Sequence, residues 1–169
     1  ASEWYKRHGF NGSDKCASGT LIEWFQDHGM SFGADTNAHT SFSETVYKLD
    51  LPNRDEKTLR EGMFVMSDFA KGMTISDSEV QSEKGVIDGE QRERDSAGYR
   101  VLVEGLERQY KGTLLATRLP IGTKPVRDAF TGESVREFYT KWYRPENLTM
   151  VIVGALRGYN PEELIAEFF

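Results

Sequence analysis

Residues 76–110 read SDSEVQSEKGVIDGEQRERDSAGYRVLVEGLERQY and contain no proline. Ser76 and Glu79 have the spacing of a capping box, in which each side chain accepts from the other residue's backbone amide, so we expect a long helix to begin here. Glu83 and Glu90 lie seven residues apart on it, two helical turns, and therefore share one face. Solvated surface is the simplest interpretation of such a pair on an acidic helix.

Two glycines beside this pair argue for more than a solvated surface. Gly85 and Gly89 each cost about 0.8 to 1 kcal/mol relative to alanine inside a helix. The sequence therefore predicts that another backbone approaches this helix closely.

Composition limits the possible classes of protein. The chain has 169 residues, 38% of them hydrophobic, and a net charge of -6. These values indicate one globular domain or two small ones, without a nucleic-acid partner or a membrane span. Cys16 is the single cysteine, which excludes an internal disulfide. We expect a single domain over residues 1–169, and its abrupt start and a final helix cut by the chain end leave a fragment of a longer chain as the alternative.

The remaining chain alternates helical and strand patterns. The predicted elements are a helix from Thr20 closed by Gly29, two antiparallel strands within residues 30–52, a helix capped by Asn53, the long helix broken near 95–98, a loop over 112–132, a helix from Ser134 to Arg144, a strand over 148–153 covered on both faces, and a helix from Asn160. This order predicts an α+β fold, a largely antiparallel sheet with helices packed on one face.

Several segments, taken in order, resemble the pitrilysin and insulin-degrading-enzyme family of zinc metallopeptidases, the inverzincins, and their processing-peptidase-like members. The similar segments are FNGS (10–13), GTLIEWF (19–25), GMSFGADTNAHTSF (29–42), ETVY (44–47), EKGV (83–86) and FYTKWYRPEN (138–147). The resemblance implies a metallopeptidase half-domain of the LuxS/processing-peptidase type, which agrees with the α+β prediction.

The resemblance also implies a zinc site. In that family an H-x-x-E-H helix supplies two histidine ligands and a general base, and a distant glutamate completes the site. Glu90 matches the distant ligand, and Glu83 matches an acidic residue that supports it. Two imidazoles and a carboxylate leave one zinc position open for water, whose pKa the metal lowers toward 7.

The chain departs from the family at the motif itself. The H-x-x-E-H positions fall on residues 3–7, where Glu3, Lys6 and Arg7 replace the first histidine, the general base and the second histidine. Protonated ammonium and guanidinium groups have no free lone pair for a metal. We therefore expect no zinc in this chain, no intact catalytic residue, and Glu90 as a vestigial ligand, with Lys6 or Arg7 supplying positive charge beside it.

The three histidines give no substitute ligand pair. His8 lies one position out of phase with the motif, and neither His28 nor His39 stands at i, i+4 spacing from another histidine. We expect none of them to bind metal.

Peptide binding does not depend on the missing histidines. Residues Asn37, Ala38, His39 and Thr40 match the family's edge strand, to which an extended peptide can add through backbone hydrogen bonds. A half-buried strand without ligand is the simpler alternative. We expect an inactive domain that binds extended peptide or pairs with a second half-domain or active subunit, in a bacterial periplasm or cytoplasm. A fragment of an active zinc endopeptidase whose motif lies outside this chain, and a purely structural interaction module, remain alternatives.

Overall fold

The computed structural model of the protein describes residues 20–169. Its α-helices and β-strands are α1 (Thr20–Asp27), β1 (Thr36–Thr40), β2 (Thr45–Leu49), α2 (Glu56–Lys71), α3 (Asp77–Arg94), α4 (Ala97–Gln109), α5 (Lys124–Ala129), α6 (Gly132–Trp142) and α7 (Pro161–Phe168). The strands form a two-stranded antiparallel sheet. The predicted α+β class is confirmed. Within residues 20–169, no helix is long and apolar enough to span a bilayer.

The chain forms two compact units, and most residue contacts lie within one unit or the other. The described residues of unit one are 20–38, 47–73 and 142–169, and unit two contains 39–46 and 74–141.

Unit one has an apolar core between α2 and α7. The buried core residues are Leu59, Met63, Phe64, Leu164 and Phe168. At the end of this packing, Lys71 donates from Nζ to the Phe168 carbonyl oxygen at 2.6 Å. Burial of several large apolar side chains supplies the main stabilisation of this unit.

Helix α1 is held against α2 by one carboxylate. Glu61 on α2 accepts from Trp24 Nε1 at 3.1 Å and lies 3.0 Å from His28 Nε2. The other ring nitrogen of His28 binds the Trp24 carbonyl oxygen at 2.8 Å. As predicted, Gly29 ends the helix in the left-handed region, with φ of 68°.

Unit two has a polar interior. Its long helices α3 and α4 bury no side chain, and Arg127 on α5 is the only charged residue buried anywhere in residues 20–169. Helix α3 begins with the predicted capping box: Glu79 N–H donates to Ser76 Oγ at 3.3 Å, and Ser76 N–H to Glu79 Oε2 at 3.1 Å. Hydrogen bonds and ion pairs therefore join the helices of unit two, whereas an apolar core joins the helices of unit one.

Four predictions about local structure are wrong in detail. The predicted loop 112–132 contains α5, which has Pro125 in its first turn. Helix α2 begins after Asp55 rather than Asn53, and α6 begins at Gly132 because Thr131, not Ser134, caps it.

The fourth error concerns residues 148–153. They lie outside any strand, and Met150 and Ile152 pack on the unit-one core while Val151 and Val153 remain exposed. The run packs on one face instead of two, because no described strand pairs with it.

Candidate functional site

One long edge of β1 faces away from β2. Asp50 N–H donates to Asp35 at 2.7 Å, and Ser41 N–H donates to Glu44 at 2.9 Å. In an antiparallel ladder, hydrogen-bonded positions alternate along each strand, so the backbone groups of residues 36, 38 and 40 point away from β2. The side chains of residues 37–40 are all exposed.

Local hydrogen bonds already occupy part of this edge. The Thr36 carbonyl oxygen accepts from Gly33 N–H at 3.0 Å, and the Asn37 side-chain oxygen accepts from Ala38 N–H at 2.8 Å. The alternation directs the Ala38 carbonyl and both backbone groups of Thr40 away from β2, and outside the β1–β2 ladder the described residues give them no backbone hydrogen bond. The edge can therefore accept an added strand at Thr40 directly, and at Ala38 once the Asn37 side chain moves.

The second candidate feature is the exposed face of α3. Glu83, Val86 and Glu90 follow helical spacing along this face, with 60% of Val86 and 45% of the Glu90 side chain exposed. Glu90 forms an ion pair with Arg94 one turn later. The predicted placement of both glutamates on one face of a long helix is thus what the structure shows.

No backbone within residues 20–169 approaches this face closely, so the predicted close approach stays a prediction for residues outside that range. A Cβ atom at Gly85 would have no heavy atom within 4 Å beyond its own helix, and one at Gly89 would meet only the tip of Arg92 at 3.8 Å. Among the described residues, nothing packs closely against the two glycines.

A polar seam runs along another side of α3. We define the seam as the contacts of Asp77, Lys84, Asp88 and Gln91, whose spacings of seven, four and three residues place them on one side of the helix. Gly132 N–H, at the start of α6, donates to Asp77 Oδ1 at 2.6 Å. Lys84 Nζ donates to the carbonyl oxygen of Asp128, on α5, at 2.9 Å.

Arg127 contributes a buried guanidinium group to the seam. Its Nε and Nη2 atoms donate to Asp88 Oδ1 at 3.2 and 2.9 Å, and Nη2 also donates to Gln91. Its Nη1 donates to the carbonyl oxygens of Ile121 and Gly122 at 3.2 and 2.9 Å. The hydrogen bonds from Arg127 hold the pKa of Asp88 below its ordinary value.

Comparison with known proteins identifies the family. Residues 2–117 match the sequence profile of the insulinase family, peptidase family M16, and residues 129–169 match that of the peptidase M16 inactive domain. The chain belongs to the insulinase family.

Individual relatives agree with this assignment. The chain is 34% identical over 158 residues to a probable zinc protease PqqL of Escherichia coli, covering 94% of this chain and 17% of that protein. The crystal structure of the first half of the E. coli periplasmic protease PqqL superposes with a TM-score of 0.70 at 34% identity, covering 82% of this chain and 30% of that one. The ferredoxin protease FusC, solved with Arabidopsis ferredoxin, has the same fold, with a TM-score of 0.72 at 19% identity over 88% of this chain and 16% of that one.

The chain spans about a sixth of the length of the full-length relatives it matches.

The described residues do not by themselves complete the zinc site expected of an insulinase-family enzyme. No three His, Cys, Asp or Glu side chains within residues 20–169 gather as a possible metal site. The Glu90 carboxylate is paired with Arg94, and His28 is engaged by Glu61. The motif positions Glu3, Lys6 and Arg7 lie outside the described residues, as do His8 and Cys16.

Sequence reasoning missed Arg127 and Asp88. They are 39 residues apart, and neither belongs to a recognisable motif. An ion pair between charged residues so far apart in sequence can rarely be predicted without a structure, because most arginines and aspartates are solvated.

Proposed function

We propose that this chain captures extended peptide segments along the free edge of β1 and does not hydrolyse them by itself. The observation that carries the proposal is the outward direction of the backbone groups of Ala38 and Thr40, beside exposed side chains. Strand addition needs only such free amides and carbonyls, and alternate side chains can supply selectivity.

Proline substitutions at Thr40 and Thr45 test the peptide edge. Proline removes the N–H of Thr40, which points away from β2, so the hairpin keeps its ladder while the edge loses a donor. Thr45→Pro is the matched control, because Thr45 is also exposed and lies on the opposite edge of the hairpin. The Thr40 and Thr45 hydroxyl groups bind each other at 3.2 Å, so both variants lose that contact.

The measurement is a fluorescence anisotropy titration with a labelled unstructured peptide. We expect binding by the unmodified protein and by Thr45→Pro, and weakened binding by Thr40→Pro. Equal affinity of the two variants would contradict the assignment of the edge. Absence of binding by the unmodified protein would leave the structural interaction module as the remaining function.

The absence of hydrolysis is proposed from the motif positions. Glu3, Lys6 and Arg7 stand where two histidines and a catalytic glutamate are required. We also propose that Lys6 or Arg7 neutralises Glu83 and Glu90, so replacing both cations with alanine should lower the melting temperature. Stoichiometric zinc in the purified protein together with hydrolysis of an unstructured peptide would overturn the proposed inactivity.

A second role is favoured by the exposed face of α3. Glu83 and Glu90 are accessible there, so Glu90 can serve a metal whose other ligands come from outside the described residues, as in a longer zinc endopeptidase. Zinc analysis of a longer form of the protein, with Glu90→Gln as the variant and Glu93→Gln as the control on the same helix, tests this role. Loss of zinc only with Glu90→Gln is expected.

Partner and compartment are proposed from the relatives. Since one relative is described as the first half of a periplasmic protease, we propose a second half-domain as the macromolecular partner and the bacterial periplasm as the compartment. Fractionation of cells that produce the full-length protein tests the compartment.

A further inference from the structure

We propose that Arg127 is a positioning residue for the glutamate face of α3, because it fixes the rotation of that helix about its own axis. The functional weight of this inference rests on the second proposed role above, in which Glu90 serves a metal site. The geometric claim can be tested by itself.

The seam holds α3 near its start at Asp77, in its middle at Lys84, and toward its end at Asp88 and Gln91. In the first turn, the Asp77 side chain accepts a hydrogen bond from the backbone N–H of Gly132. Farther along the helix, the side chains of Asp88 and Gln91 accept hydrogen bonds from Arg127. Residues 77 and 88 are about 16 Å apart along the axis at 1.5 Å per residue. Two anchors at this separation restrict both the tilt and the rotation of a helix.

Arg127 is suited to this task by its burial and its geometry. It is 2% exposed, and its planar guanidinium satisfies two side-chain acceptors on α3 and two backbone carbonyls that precede α5. A rigid fork of donors holds its acceptors in a defined arrangement, whereas a lysine ammonium presents a single point charge.

The anchored side chains set the direction of the glutamates. Glu83 and Glu90 each precede a seam residue, Lys84 and Gln91, and so lie about 100° round the helix from the seam. The apolar side chains of α3 are at most half-buried, as Val80 and Ile87 are, so the hydrogen bonds of the seam contribute to fixing its rotation. Loosening Arg127 should therefore let the glutamate face turn.

Distance measurements between spin labels test the positioning role. Labels are attached at Glu90→Cys on α3 and Glu137→Cys on α6, two exposed sites of unit two, in a background with Cys16→Ser. We expect a narrow distance distribution with Arg127 present, a clear broadening with Arg127→Met, and an intermediate width with Arg127→Lys. Arg108→Met, which breaks an exposed ion pair with Glu104 on α4, is the matched control and should leave the width unchanged.

Thermal melting of the same variants separates positioning from stability. A lower melting temperature for Arg127→Met with an unchanged narrow distribution would overturn the proposal and leave Arg127 a purely structural residue. If Arg127→Met does not fold, Gln91→Leu removes one acceptor only, and an unchanged width in that variant overturns the proposal equally. Peptide titration of these variants measures binding at the β1 edge independently of the distance distribution. A failure of peptide capture and a failure of the positioning role can therefore be told apart.

Discussion

Two nitrogens of the Arg127 guanidinium donate to the same carboxylate oxygen of Asp88, at 3.2 and 2.9 Å. The arginine is buried, whereas 30% of the Asp88 side chain remains exposed. Loss of the two partners should therefore have unequal effects. Removing Arg127 leaves a carboxylate that water can reach, but removing Asp88 leaves a buried cation with only neutral acceptors.

The hydrogen bonds between Arg127 and Asp88 also predict that the stability of the protein depends on pH. Hydrogen bonds from Arg127 lower the pKa of Asp88 in the folded protein relative to about 3.9 in the unfolded chain. Because the folded pKa is the lower one, the stabilisation is complete above pH 3.9 and is lost as the pH falls through the folded pKa. Urea unfolding from pH 7 to pH 3 should show Asp88→Asn less stable than the unmodified protein near neutrality, with a difference that shrinks below about pH 4. A constant difference across this range would contradict the linkage.

The capping box at the start of α3 gives a second prediction. Ser76→Ala removes the hydroxyl that accepts from the Glu79 amide, and loss of such a cap costs about 1 kcal/mol. The hydrogen bond from the Ser76 side chain also lowers the pKa of Glu79, so that pKa should rise toward its ordinary value in the variant. Denaturant unfolding measures the first effect and a carboxyl-carbon NMR titration the second.

Ser82→Ala is the control for the cap. Ser82 is exposed inside the same helix, where alanine is the better helix former by up to about 0.5 kcal/mol, so this variant should be unchanged or slightly more stable. Equal losses in Ser76→Ala and Ser82→Ala would contradict a specific capping role.

The cap at Ser76 shows why some elements could be predicted from sequence. The signal lies within four residues, as does the turn at Gly29, so local stereochemistry decides both. The apolar run 148–153 was wrongly predicted to be a strand buried on both faces, because its burial depends on residues distant in sequence. The same limit applies to the seam, since no local pattern pairs Arg127 with Asp88. The exposed glutamates and the edge at residues 37–40 could be placed on their elements, but their hydrogen-bond partners could not.

Glycines inside helices provide a third prediction. No described residue lies within 4 Å of a Cβ atom at Gly85, so Gly85→Ala should raise the free energy of unfolding by about 0.8 to 1 kcal/mol through helix propensity alone. Gly132→Ala should instead destabilise unit two, because its Cβ would lie 2.5 Å from Asp77 Oδ1 and would displace that oxygen from the hydrogen bond it accepts from the residue-132 amide. Denaturant unfolding of both variants checks the contrast. Destabilisation by Gly85→Ala would indicate that a backbone outside residues 20–169 packs on α3, as the sequence alone suggested.

The last prediction concerns the side chain that covers part of the peptide edge. The Asn37 oxygen accepts from the Ala38 amide at 2.8 Å, and an added strand must compete for that same donor. Asn37→Ala removes the competitor, and since one hydrogen bond contributes about 0.5 to 1.5 kcal/mol, peptide affinity should rise roughly two- to tenfold. Asn37→Asp keeps an acceptor at this position and should bind no more tightly than the unmodified protein. Weaker binding by Asn37→Ala in the anisotropy titration would show that the Asn37 carboxamide contacts the peptide itself. Tighter binding would show that the Asn37 side chain occupies the Ala38 amide until an added strand displaces it.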